Sequence, residues 1–336
     1  MINRQTIDIS TATIFRFILI ILGLVFLYLI RDILLILFIA IIVAAAVDGP
    51  VDWLARHKVR RVFGATIIYL GIFLFLALFV YLVFPPLAGQ IKILAHNLPQ
   101  FLDSLGSGVK IIEGKIGPES LKNILENISN QLSGAASNIF GTAINIFGGI
   151  FSAAMILVIS VYLVIQEKGI KKFLAVVTPA NHQAYILDLV ERIQSKLGAW
   201  LRGQLLLMLI IGILVYIGLS LLKIKFALTL ALLAGLLEII PYIGPVLSAT
   251  PAAIFAFFQM PILGLLVVAL FVLIQQLENY LILPLVMKKA IGLNPLVIIV
   301  SMLIGGQLAG VMGIIIAVPL AAAISVVSSD FFGRKT

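Results

Sequence analysis

Ten apolar runs follow one another along the chain: Ile14–Ile30, Ile33–Val47, Val62–Leu87, Ile146–Ile165, Leu205–Leu222, Phe226–Ile240, Val246–Met260, Ile262–Val286, Leu296–Leu308 and Val311–Val327. A membrane-spanning helix needs about 20 such residues, with roughly 17 to 25 tolerated. Four runs at or below the lower end of that range form two adjacent pairs, Phe226–Ile240 with Val246–Met260 and Leu296–Leu308 with Val311–Val327. The first pair is split by Pro241-Tyr242-Ile243-Gly244-Pro245, the second by Ala309-Gly310 just after Gly305-Gly306. Each pair reads better as a helical hairpin that enters and leaves on one side than as two crossings. The expectation is an all-α integral membrane protein with six full transmembrane helices and two oppositely oriented re-entrant hairpins, eight spans by simple count. Treating every short run as a crossing gives ten spans and the same terminal sides.

Composition makes the membrane reading firm. Hydrophobic residues are 62% of the 336 and charged residues 11%, against about 25% charged in a soluble domain. A net charge of +9 fits Lys and Arg gathered in cytoplasmic loops. Placing the N-terminus in the cytoplasm puts Arg56, Lys58, Arg60, Arg61, Lys168, Lys171, Lys172, Lys288 and Lys289 on that side, and the C-terminus with them. Arg4 precedes the first run and Arg16 lies at its start, without a small-residue cleavage site, which reads as a retained span. No basic run is interleaved with aromatics in a soluble module, so nucleic acid is a poor partner. There is no cysteine, which excludes disulfides and thiolate metal sites.

Four regions follow: 1–88, an N-terminal transmembrane scaffold; 89–145, an extracytoplasmic helical insertion; 146–203, a fourth span with a cytoplasmic amphipathic helix; and 204–330, a C-terminal core of broken helices. In the insertion, Leu121, Ile124, Leu125, Ile128 and Leu132 recur at helical spacing after Gly117-Pro118. It reads as a cap or subunit contact, or else as a ligand-binding domain. Ile186, Leu189, Val190, Ile193, Leu197 and Leu201 mark one face of the amphipathic helix. Lys196, Arg202 and Trp200 would place that helix at the lipid headgroups.

From Phe226 to Val286 the only formal charges are Glu238 and Glu278. A carboxylate in hydrocarbon costs several kcal/mol, on the order of 3 or more, so packing alone rarely explains one. Gln275, Glu278 and Asn279 share a helical face at i, i+3 and i+4. A polar face within a span must look toward protein or water. It suits a proton or cation carrier, or an interhelical hydrogen-bond clamp. Glu238 lies three residues before Pro241; Pro241 and Pro245 remove two backbone donors, and Gly244 permits a sharp bend. Irregular backbone at that depth is tolerated where it lines a cavity. A turn whose glutamate caps nearby amides accounts for the same residues. Asn294 and Gln307 are the strongly polar groups of the second pair, whose Gly305, Gly306, Gly310 and Gly313 would also permit close helix packing.

Enzyme motifs are missing. Gly108 to Lys115 has the wrong spacing for a phosphate loop and Ile116 where Ser or Thr is required. The three histidines, His57, His96 and His182, form no zinc-protease pair, and no Asp falls within the predicted spans.

The stretch from Glu238 to Pro245, the Glu278-Asn279 pair with Pro284, Gly292-Leu293-Asn294-Pro295, Gly305-Gly306, Gly310, Gly313 and Ala317-Val318-Pro319 resemble the autoinducer-2 exporter family of bacterial membrane proteins. The resemblance covers essentially the whole chain. It implies a secondary transporter of the bacterial inner membrane, with quorum-signal exporters and sodium–proton antiporters among its members. It also implies homo-oligomers, pentameric, in which part of each subunit moves against a scaffold, and no cofactor beyond a coupling H⁺ or Na⁺. The chain departs from the family in carrying Asn294 where members often have His. Lys288-Lys289 also stand where a glycine is usual. The expected roles are ion or proton coupling at Glu278 and Glu238, with solute contacts from Gln275, Asn279, Asn294 and Gln307. Hairpin tips are expected at Pro241, Tyr242, Gly244, Pro245, Gly305, Gly306 and Gly310. The rivals are a plain Na⁺/H⁺ antiporter and a non-transporting scaffold of envelope or division machinery.

Overall fold

A computed structural model describes residues 11–104, 141, 149–166, 174–287 and 292–333. The apolar stripe at 121–132, the Gly108–Lys115 loop, and Lys288-Lys289 lie outside the described residues. Within them the chain is all-helical. The elements are α1 (Thr11–Leu29), α2 (Arg31–Arg56), α3 (Arg61–Ser104), α4 (Gly149–Ile165), α5 (Ala180–Leu221), α6 (Ala227–Leu237), α7 (Ile243–Gln259), α8 (Pro261–Leu277), a π-turn (Glu278–Ile282), α9 (Leu283–Met287) and α10 (Pro295–Gly333). Among the described residues six stretches are apolar and long enough to cross a membrane: Ala12–Leu29, Arg31–Arg56, Arg61–Val83, Ala180–Leu221, Pro261–Met287 and Pro295–Asp330.

The two interrupted pairs look different in three dimensions. Helix α6 has 11 residues and α7 has 17, so at 1.5 Å per residue they are about 17 and 26 Å long. Both are shorter than a hydrocarbon core of roughly 30 Å, and they pack against each other around the turn at 238–242. In α10 the helical path breaks at Ala309 and at Gly310, whose φ of 58° and ψ of −140° suit glycine. There the chain doubles back. A Cβ on Gly313 would strike the carbonyl oxygen of Gly305, and one on Gly305 would lie 3.2 Å from Ala317 Cβ. Residues eight apart in a straight helix would stand about 12 Å apart. α10 is therefore two limbs whose glycines let the backbones touch.

Three apolar clusters organise the packing. Ala44, Val47, Val51, Ala65, Tyr69 and Val164 join α2, α3 and α4. Ile211, Val215, Leu230, Ala252, Phe255, Val267 and Phe271 join α5 to α8. Between them Ile42, Trp200, Leu207, Ile240, Met287, Met302 and Val318 tie α2, α5, α9 and α10 together. No residue in the apolar stretch of α1 is buried within the chain, so lipid or other protein must cover it.

Several expectations change. Helix α3 runs unbroken past residue 88 to Ser104, and α5 is continuous through residue 203. Trp200 does not face lipid: it is 2% exposed, inside the junction cluster. Its neighbours turn inward too. Lys196 donates to Ser325 Oγ at 3.1 Å, and Arg202 donates to the carbonyls of Ala45 and Ala46 at 3.2 and 3.1 Å. Pro50 lies inside α2 and has no N–H, so the Ala46 carbonyl four residues earlier lacks its helical donor and Arg202 supplies one. The span-length helix α2 extends beyond the Ile33–Val47 run at both ends, and those extensions carry Asp32, Asp48 and Asp52. Arg61 offsets two of these by pairing with Asp48 and Asp52 while donating to the Val164 carbonyl at 2.9 Å. Those charges were hidden because the apolar run stops at Val47 while the helix continues.

Candidate functional site

Helix α6 ends at Leu237 with two tight turns, Ile239 N–H to Leu236 O and Ile240 N–H to Leu237 O. Pro241 cannot extend the ladder. The Ile243 N–H then bonds the Pro241 carbonyl at 2.7 Å across Tyr242, whose φ is 64° and ψ −39°. This is a γ-turn of the positive-φ kind, strained for a residue with a Cβ. Gly244 follows because a Cβ there would lie on the Leu237 carbonyl oxygen. The turn thereby aims Glu238 into the protein, where it is 2% exposed.

Glu278 arrives from the other direction. The Leu283 N–H reaches back five residues to the Glu278 carbonyl, forming the π-turn. Pro284 has no N–H, so an ordinary helical ladder would be interrupted one residue later in any case. The wider turn adds a residue to the register and leaves Glu278 buried while Tyr280 faces outward. Gln275 Nε2 donates to Glu278 Oε2 at 3.2 Å and lies 3.5 Å from Asn279 Oδ1.

The two glutamates meet in a cavity of 230 Å³, lined also by Gln204, Tyr242 and Asn279 and walled by Leu207, Leu283, Pro284, Met287, Leu293, Ile298 and Val318. Their carboxyl groups lie close enough for one, when protonated, to donate a hydrogen bond to the other. Oε2 of Glu238 is buried without a hydrogen-bond partner among the described residues. No Lys, Arg or His lines the cavity among them. Such a pair is satisfied by a proton shared between the carboxyls or by a cation bound to them. No cluster of three or more His, Cys, Asp or Glu side chains occurs among the described residues.

The sequence-derived candidates sort into two places. Glu238, Pro241, Tyr242, Glu278 and Asn279 line the cavity, and Gln275 braces Glu278 from behind. Asn294 does not line it: its Oδ1 accepts the Leu296 N–H at 2.9 Å and caps α10, though Leu293 and Pro295 on either side do reach the cavity. Gln307 is exposed, and Gly305, Gly306 and Gly310 build the fold-back of α10 rather than the cavity wall. Pro245 and Gly244 shape the start of α7. Sequence reasoning missed Gln204. Its Nε2 donates to the Glu238 carbonyl at 2.6 Å, and the residue is 2% exposed. The available signal was an amide at the very edge of the Leu205–Leu222 run, where it reads as the end of a loop.

Span-length apolar helices mark a multi-pass membrane protein, and its interrupted helices enclose a buried polar cavity. The chain belongs to a family described as AI-2E family transporter, which matches residues 17–332. It is 29% identical to "Putative transport protein YueF" of Bacillus subtilis, over 82% of this chain and 78% of the relative. It is 27% identical to "Putative transport protein YrrI" of the same organism, over 91% and 89%, and 26% identical to "Putative transport protein YhhT" of Escherichia coli K12, over 86% and 82%. The protein is thus a membrane transporter.

Proposed function

We propose that this chain is a secondary transporter of the bacterial inner membrane that moves a small polar solute, of the autoinducer-2 kind, in exchange for H⁺ or Na⁺. The observation that carries the reading is the meeting of two buried carboxyls, from segments forty residues apart in sequence, in a cavity bounded by broken helices. In this reading α6–α7 and the two limbs of α10 are re-entrant hairpins from opposite faces, both termini are cytoplasmic, and the subunits form a homo-oligomer, a pentamer by family resemblance. Glu238 and Glu278 hold the coupling ion between them. Asn279, with Gln275 behind it, presents an amide to the solute. Asn294 and Gln307 join a solute path only if the limbs of α10 move. Tips at the midplane would expose the carboxyl pair to one side and then the other as the core shifts against α1–α4.

Proton movement in sealed proteoliposomes with a trapped pH dye tests this. A pH gradient is imposed, Na⁺ or autoinducer-2 is added, and wild type is compared with Glu278→Gln. Collapse of the gradient triggered by one solute and lost in the variant is the expected result. Collapse by Na⁺ alone marks a plain cation–proton antiporter. Folded protein that responds to neither sinks the coupled mechanism and favours a scaffold role.

A further inference from the structure

We infer that the turn joining α2 to α3 is a binding surface for anionic phospholipid, with Trp53 seated among the headgroups and Arg56, Lys58 and Arg60 holding a negatively charged phosphate ester. The surface lies outside the carboxyl cavity and does not depend on the transport reading. Its position follows from helix length. The turn joins two consecutive span-length helices, Arg31–Arg56 and Arg61–Val83, so it stands at a membrane surface. About 20 helical residues cross the hydrocarbon. Counted from Ile33, where the apolar run of α2 begins, they end at Asp52. Trp53, Arg56 and Lys58 fall just beyond, at headgroup depth, where an indole is well placed. Trp53 is 60% exposed. His57 packs on it with ring centroids 4.4 Å apart and donates from Nδ1 to the Trp53 carbonyl at 2.8 Å.

The charge of the turn is left without a counter-charge. Arg56, Lys58 and Arg60 are exposed, and none of them makes an ion pair among the described residues. The nearby Asp48 and Asp52 are held by Arg61, and Glu191 lines a cavity with that trio and Arg202. Residues 167–173, which follow α4 outside the described residues, carry Glu167 with Lys168, Lys171 and Lys172, so that segment too is basic in net charge. The backbone singles out Lys58. Its φ is 69°, in the left-handed region. The N–H groups of Lys58 and Val59 bond back to the carbonyls of Ala55 and Leu54 at 3.1 and 3.3 Å. This is the Schellman ending of a helix, whose left-handed position usually belongs to glycine. An exposed lysine keeps that strained backbone with little packing to offset it. A phosphate ester supplies the reason, as the counter-charge to three neighbouring cations. Exposed Val62 and Phe63 follow on the first turn of α3. A molecule with an anionic head and apolar tails meets both parts of this surface, whereas a free phosphate meets only the first.

The test places the full chain in mixed phosphatidylcholine–phosphatidylglycerol vesicles, with one lipid or the other brominated near the glycerol end of its acyl chains. Bromine quenches tryptophan on contact. The chain has two tryptophans; Trp200 is 2% exposed, and a Trp53→Phe sample supplies its signal for subtraction. Phosphatidylglycerol beside Trp53 is expected to exceed its bulk fraction on the order of five-fold. The excess should vanish when Arg56, Lys58 and Arg60 are all replaced by Gln, and in molar salt, where the Debye length is about 3 Å. Lys58→Gly, which relieves the left-handed residue, should fold at least as stably as wild type and lose roughly half of the excess. Equal quenching by the two lipids in wild type, or an excess that survives both the triple variant and the salt, overturns the inference. So does an excess abolished by millimolar free glycerol phosphate, which would mark a site for a soluble anion. If the triple variant does not fold, the salt series on wild type decides.

Discussion

Replacing Gln204 by Leu removes the donor that holds the backbone at Glu238 while keeping a side chain of similar length in the same space. The bond is short, 2.6 Å, and both residues are 2% exposed. The Glu238 carbonyl stands at the end of α6, where intrahelical donors have run out, so no other protein group replaces the amide. Interhelical hydrogen bonds in membranes average about 0.6 kcal/mol, because the unfolded chain also finds partners, and reach about 1.7. A carbonyl left unsatisfied in a buried site costs about 1–3 kcal/mol. Full burial puts Gln204→Leu at the upper end of the membrane range, a loss of about 1–2 kcal/mol. Reversible SDS-induced unfolding, followed by far-UV helicity, reads this directly. A Gln204→Leu protein that loses less than about 0.6 kcal/mol, the average such bond, would refute the claim that α5 fixes the α6–α7 turn. It would also remove Gln204 from the frame of the site.

Two further outcomes follow from the backbone. At position 242 the positive φ inverts the usual order of small residues: Tyr242→Gly is expected to be more stable than Tyr242→Ala by about 1 kcal/mol, read by the same unfolding assay. The opposite order would mean that the turn is unstrained. At the fold-back of α10, Gly313→Ala places a Cβ on the Gly305 carbonyl and should cost about 1–3 kcal/mol by overpacking. Gly71→Ala on the open face of α3, where nothing lies within 4 Å, should be neutral or slightly stabilising as a helix substitution. Equal effects at the two positions would deny the close crossing.

Much of this protein is legible without coordinates. Helical character, membrane residence and the two interrupted pairs follow from run length and the near absence of charge, because a backbone in hydrocarbon must satisfy its hydrogen bonds within the helix. Glu238 and Glu278 stand out for the same reason: charge in an apolar run is costly and therefore visible. The tertiary structure decided what met what. The π-turn before Pro284 set the direction of Glu278, and the γ-turn at Tyr242 set that of Glu238. Neither register can be read from residue spacing that assumes a regular helix. Gln204 and Arg61 escaped because they sit at the ends of apolar runs, where a polar side chain looks like a loop, and Arg202 was expected at the headgroups rather than against α2. Their partners lie from 9 to 157 residues away. Asn294 and Gln307 show the converse, polar residues conspicuous in sequence that the fold uses as a cap or leaves on a surface. Composition determined the solvent in which the chain must fold. Only the packing of α5 against the broken helices determined which of its few polar groups share a cavity.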